Sequence, residues 1–202
     1  MYLPKTPEIA KKIFPKLKWD NKSEDKCIYL TFDDGPTPSV TPWVLDQLKT
    51  YDAKATFFCL GKNVVLHPDV FEEILKNEHS VGNHTYNHLD SWKSSKEKYL
   101  LDIESCSKVF HSHYFRPPYG KLKPGIRTAI LKNYEIVMWD VMAYDFDQSI
   151  DPQQCVSNVL DNIKDGSIIV FHDSVKAEKN LRHALPLVLK EIANQGFAMK
   201  GL

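Results

Sequence analysis

The run Cys27-Ile28-Tyr29-Leu30-Thr31-Phe32-Asp33-Asp34-Gly35-Pro36 decides how the chain is read. Its first six residues are the apolar and β-branched mixture of a buried strand, and the strand stops at two carboxylates and a Gly-Pro breaker. Adjacent residues leaving an extended segment point in different directions, so Asp33 and Asp34 are suited to two tasks: one holds a metal, its neighbour faces substrate.

Outward from that run, strand-like and helix-like segments alternate. Helical spacing covers Pro42–Tyr51, with Thr41 as the expected N-cap, then Val64–Asn77 with Pro68 as a second start, Ser94–His111, Pro124–Lys132, Pro152–Ile163 and Ala177–Ala193, which contains Pro186. Extended segments are predicted at Ala55–Leu60, Ser80–Asn83, His113–Arg116, Tyr134–Trp139, Ser167–Phe171 and Phe197–Leu202. About seven such units predict an α/β fold, a parallel sheet closed or nearly closed into a (β/α) barrel. The domain division expected is an N-terminal extension, residues 1–26, and a single catalytic domain, residues 27–202.

With 202 residues, 43% of them hydrophobic, the chain is long enough for a real core. A formal net charge of +0 removes the electrostatic case for a nucleic-acid partner or an anionic membrane. No run of the N-terminal twenty residues has the continuous apolar core of a secretion signal or membrane span, so a cytoplasmic location without a membrane span is the expectation. Cys27, Cys59, Cys106 and Cys155 show no CxxC spacing, and Cys27 and Cys59 are expected in the core. The glycines form no phosphate-binding loop.

The polar residues sort by position. Asp33 and Asp34 follow the first strand, His84 and His88 the third, Arg116 and Tyr119 the fourth, Asp140 and Asp145 the fifth, His172 and Asp173 the sixth. In a parallel barrel those strand ends share one face. His84 and His88, four residues apart, lie on one side of a helical turn within reach of one ion. One carboxylate from the first loop completes a His, His, Asp set with room for water, which suits zinc or another divalent transition metal such as ferrous iron.

Five ordered motifs now resemble the polysaccharide deacetylases of carbohydrate esterase family 4, which include chitin, peptidoglycan and chitooligosaccharide deacetylases. They are Thr31–Pro36, His84–His88, Arg116–Gly120, Met142–Phe146 and Val170–Asp173. The resemblance implies a distorted barrel of fewer than eight strands, Asp34, His84 and His88 as metal ligands and Asp33 as catalytic base. It implies a backbone N–H at Tyr119 for the carbonyl oxygen, with Pro118 stiffening the approach; His172 is the candidate general acid, since imidazole titrates near neutral pH. Arg116 is expected to pair with Asp33. Met142 and Phe146 depart from the family pattern, so either Asp140 or Asp145 supplies the carboxylate that orients His172. Phe146 stands where a Trp commonly walls the sugar site, and Val170 stands at the Leu position that lines the acetyl pocket.

The activity implied is removal of N-acetyl groups from N-acetylglucosamine-containing glycans or oligosaccharides. Rival readings are an O-acetyl esterase on xylan-type polysaccharide and a non-catalytic glycan-binding module. His111 and His113 read as a polar loop, His67, His79 and His183 as surface or cap residues. Trp43 reads as a core or rim aromatic, and Trp92 as a rim residue placed to stack on a sugar.

Overall fold

The computed structural model describes residues 3–22 and 26–202. Its strands are β1 (Cys27–Asp33), β2 (Thr56–Cys59), β3 (Ser80–Asn83), β4 (Tyr114–Phe115), β5 (Glu135–Ile136), β6 (Val141–Met142), β7 (Ile168–His172) and β8 (Ala198–Lys200). The helices are α1 (Glu8–Ile13), α2 (Thr41–Thr50), α3 (Gly61–Leu66), α4 (Pro68–Lys76), α5 (Lys96–Ser107), α6 (Pro124–Ile130), α7 (Pro152–Leu160) and α8 (Glu178–Asn194). The strand order is β5-β4-β3-β2-β1-β7-β6, every pair parallel, with β8 on the first half of β1. This is a distorted (β/α) barrel, curled but open between β5 and β6.

β1 is buried along its whole length, because both faces are covered. Ile28, Leu30 and Phe32 face the helical layer, where Phe32 stacks on Phe57 and Phe171 with ring centroids 5.1 and 6.0 Å apart. Each such side chain contributes roughly 1.5–3 kcal/mol by leaving water. Cys27 and Tyr29 face the barrel interior with Phe58, Val137 and Ile168. The period of two places Thr31 and Asp33 on that interior side too. All four cysteines are buried.

The interior is filled by a few large groups, and small residues make way for them. A Cβ on Gly82 would run into the Phe58 ring. Gly82→Ala is therefore expected to cost ~1–3 kcal/mol through overpacking. A denaturant midpoint equal to that of the parent would refute this.

The second helix expected to start at Pro68 within 64–77 is observed, because His67 leaves helical geometry (φ −134°, ψ 58°) ahead of it. Several local expectations are corrected. Thr41 does not cap α2; its hydroxyl accepts from the Thr37 N–H (2.7 Å) and donates to Asp173 (2.5 Å). α8 continues through Pro186. The strand predicted over 134–139 shrinks to β5, and β6 is an additional strand, because the backbone between them bonds elsewhere. There the N-terminal segment fills the open seam: Lys18 N–H donates to Ile136 O, Met138 N–H to Lys18 O, Thr6 N–H to Asp140 O and Met142 N–H to Pro4 O. His79 is buried, not a surface residue; its ring lies 5.4 Å from Phe57, and Nδ1 accepts the Ala55 N–H. Burial, helped by Lys54, pushes its pKa down to about 4. Among the described residues no helix is long and apolar enough to cross a membrane.

Candidate active site

At the end of β1 the chain turns sharply, and the turn is held from below. Asp173 accepts the Gly35 N–H (3.1 Å) and the Thr41 hydroxyl, while its own N–H donates to Asp33 O (3.1 Å). A side chain on Gly35 would collide with that carboxyl group, which explains the glycine. Asp34 takes a left-handed φ of 81° and its carbonyl accepts from Asn63 Nδ2 (2.7 Å). Asp33 thus stays on the interior side and Asp34 swings away from it.

Asp34 Oδ1 lies 3.1 Å from His88 Nε2 and 3.6 Å from His84 Nε2. The three candidate ligand atoms all fall within 4.8 Å of one another. His84 Nδ1 is 2.8 Å from the Arg116 carbonyl, which can only accept, so the proton sits on Nδ1 and Nε2 offers a lone pair. Burial pushes the His84 pKa down to about 4, so the ring is neutral near pH 7. Burial alone would raise the Asp34 pKa, but His88, His172 and His84 hold it well below the usual carboxylate range. Asp34 Oδ1 is buried and finds no hydrogen bond of acceptable geometry. A carboxylate oxygen and an imidazole lone pair converging without a proton between them fit a cation.

The expected helical turn at 84–88 is instead a loop with left-handed Thr85 (φ 67°) and His88 (φ 60°). Asp102 of α5 pins it, accepting from Tyr86 N (3.1 Å), Asn87 N (2.9 Å) and Asn87 Nδ2 (2.6 Å). Asn83 Oδ1 takes the Thr85 N–H and Thr85 Oγ1 the His88 N–H. Five non-glycine residues with positive φ stand at these strand ends, Asp34, Thr85, His88, Tyr119 and Tyr144, a concentration of strain found at functional sites.

Arg116 is fully buried, and Nη1 donates to Asp33 Oδ1 and Thr31 Oγ1, both at 2.7 Å. Nε and Nη2 reach the carbonyls of Val137 (3.2 Å) and Met138 (2.8 Å), and Cζ sits 4.0 Å over the Phe58 ring. The guanidinium is fixed from every side, and it fixes one oxygen of Asp33.

His172 Nδ1 is 2.8 Å from Asp145 Oδ1, and the His172 N–H donates to Asp145 Oδ2 at 2.7 Å. Burial opposes a charge on this ring, but Asp145, with Asp34 and Asp33 behind it, prevails and pushes the pKa up to about 9. Asp140 is elsewhere, bonded to Lys5, Lys11 and the Ser167 hydroxyl. Of the two carboxylates left open by the sequence, Asp145 is the one at His172.

Around these groups, Phe146 meets His172 edge-on at 4.9 Å, and the exposed Tyr119 ring meets His88 edge-on at 4.7 Å. Tyr119 and Gly120 are both left-handed, and a Cβ on Gly120 would strike Trp139. Pro118 is buried beside them, and Val170 is fully buried two residues before His172 on the same face of β7. Trp92 is 59% exposed; His111, His113 and His183 lie at the surface. Trp43 is half-buried beneath the Arg182 guanidinium. Asp102, Thr31 and Trp139 were not singled out in the sequence. For Asp102 a signal existed: it breaks the apolar stripe of Tyr99, Ile103 and Cys106 on α5.

Residues 20–138 match the family model described as polysaccharide deacetylase. The chain belongs to the polysaccharide deacetylase family. A peptidoglycan-N-acetylglucosamine deacetylase of Bacillus cereus is 37% identical over 187 residues, covering 89% of this chain and 87% of that one. A chitooligosaccharide deacetylase of Azorhizobium caulinodans is 31% identical, covering 87% and 92%. Some relatives are longer: the chain spans 41% of a 35% identical peptidoglycan-N-acetylglucosamine deacetylase of Listeria monocytogenes. The crystal structure of the Bc1960 peptidoglycan N-acetylglucosamine deacetylase superposes with a TM-score of 0.88 over 98% of this chain and 95% of its own, at 28% identity. This polysaccharide deacetylase family chain therefore shares the fold of that structure over almost its full length.

Proposed function

We propose that the protein is a metal-dependent hydrolase that removes N-acetyl groups from N-acetylglucosamine-containing glycans or oligosaccharides. The observation that supports this most is the meeting, at one barrel mouth, of the Asp34–His84–His88 set with two independently anchored pairs, Asp33–Arg116 and His172–Asp145.

Asp34, His84 and His88 would hold zinc or another divalent transition metal, which when bound supplies a water of lowered pKa and polarises the acetyl carbonyl. Asp33 is the base: Arg116 occupies Oδ1, leaving the other oxygen to take the proton of the attacking water. The Tyr119 backbone N–H, at its left-handed corner, donates to the oxygen on which charge develops. Pro118 and Val170 bound the acetyl group, and Phe146 gives the sugar an apolar wall.

An amine leaves only after it is protonated. His172 has Nδ1 committed to Asp145, so Nε2 is the nitrogen that delivers the proton. A histidine held charged near pH 7 serves an amide better than an ester, whose alcohol leaves more readily, and this favours N- over O-deacetylation.

The test is free acetate from chitopentaose and from purified peptidoglycan glycan strands with added zinc. Release is expected, lost with a chelator and restored by metal. No acetate from either substrate would end the proposal and favour a glycan binder.

The acid role has its own signature. His172 works while protonated, so the alkaline limb of kcat is expected near pH 9. Asp145→Asn removes the first of the charges that raise this pKa, and the limb is expected to fall toward the ordinary histidine value of about 6.5. An unmoved limb would remove His172 or Asp145 from this role.

A further inference from the structure

Helix α1 is turned inside out. At about 3.6 residues per turn, Lys11 stands on the side opposite Ile9 and Ile13. It is Lys11 that faces the protein, bonded to Asp140 Oδ1 at 2.7 Å and Asp20 Oδ2 at 2.8 Å. Ile9 and Ile13 point outward, 68% and 62% exposed, and the helix buries no residue at all. A helix with a charge inward and isoleucines outward has the wrong polarity for a free surface in water.

The chain beyond α1 extends the same face. Phe14 is 37% exposed, with the Arg127 guanidinium 4.8 Å over its ring. Between this turn and the end of α6 runs an open groove of about 520 Å³, lined by Phe14, Leu17, Leu131, Lys16 and Arg127 among others. Cations ring it. The ion pairs of this region use Lys11, Lys18 and Lys164, and among the described residues Lys12, Lys16, Arg127 and Lys132 enter none. A net charge of +0 over the whole chain conceals this local excess.

We propose that α1, the turn after it and the end of α6 form a docking face for an anionic phospholipid bilayer. Ile9, Ile13 and Phe14 enter the interface, and Lys12, Lys16, Arg127 and Lys132 meet lipid phosphates. A second copy of this chain fits worse, because a two-fold contact would set these four cations against their equivalents. A soluble polyanion would use the cations but leave the isoleucines without a role. The face also lies at the right end of the barrel. Helices of a (β/α) barrel run back from the catalytic end, so the end of α6 is remote from the site, and Asp20 bridges to Ser167 just before β7 begins. Docked this way, the chain presents its catalytic mouth away from the lipid.

The test is sedimentation of the full-length, metal-loaded protein with vesicles of phosphatidylglycerol and of phosphatidylcholine. Preferential binding to phosphatidylglycerol is expected. It should fall about twenty-five-fold or more in Lys12→Glu/Lys16→Glu, at roughly fivefold per lysine, and should also fall in Ile9→Ser/Ile13→Ser. Circular dichroism and thermal midpoints of both variants should match the parent, since all four side chains are exposed. Equal binding to the two lipids, no binding, or an Ile9→Ser/Ile13→Ser variant that binds like the parent would overturn the proposal. A concentration-dependent dimer abolished by the same substitutions would overturn it in favour of self-association.

Discussion

Asp33→Asn is expected to lower kcat for acetate release by about 10²–10⁴-fold, the range a positioned general base supplies. The proposed metal set should survive, because Asp34, His84 and His88 are held by Asn63, Asp102 and the Arg116 carbonyl and not by the Asp33 side chain. Elemental analysis of the variant should therefore match the parent, separating loss of the base from loss of the ion. Activity within tenfold of the parent would mean that another group takes the proton. Asparagine at this position can still accept the Arg116 hydrogen bond through its amide oxygen but leaves the buried guanidinium without its counterion, so a loss of stability should accompany the loss of rate, smaller than if the side chain were deleted outright.

Arg116→Met is expected to be the most destabilising single change in the site. It strips a fully buried guanidinium from Asp33, Thr31 and two carbonyls at once, leaving a buried carboxylate unpaired. Breaking such a pair from one side costs ~3–5 kcal/mol. At about 2–4 °C per kcal/mol for a chain of this size, the thermal midpoint should fall by roughly 6–20 °C. The double variant Asp33→Ala/Arg116→Met should be less unstable than the two single losses summed, because no uncompensated charge remains. Additive losses would show that the pair is not coupled in the fold.

Much of the barrel was legible because its strands are short apolar runs closed by breakers, and because β1, β2, β3 and β7 read as strands with nearly their observed bounds. β5 and β6 were not legible. Their length depends on what residues 137–140 bond to, and those partners, Lys18, Thr6 and the Arg116 guanidinium, come from remote parts of the chain. In the site, the residues that carry charge or a lone pair declared themselves by type and by position after a strand. The residues that hold them did not. Asp102 lies fifteen residues along the chain from the loop it holds, and the choice between Asp140 and Asp145 rests on N-terminal lysines that no local pattern connects to a strand more than a hundred residues on. His79 misled for the same reason: only the tertiary fold reveals that Phe57 covers it.

The stave that residues 4–20 contribute to the open side of the barrel bears on how this protein is shortened or fused. A version begun at Cys27 would bare the Asp140 carboxylate with neither lysine, uncover the backbone of 136–142, and loosen the two carbonyls that grip the guanidinium behind Asp33. Cargo is better attached ahead of Leu3 than spliced in at the first strand.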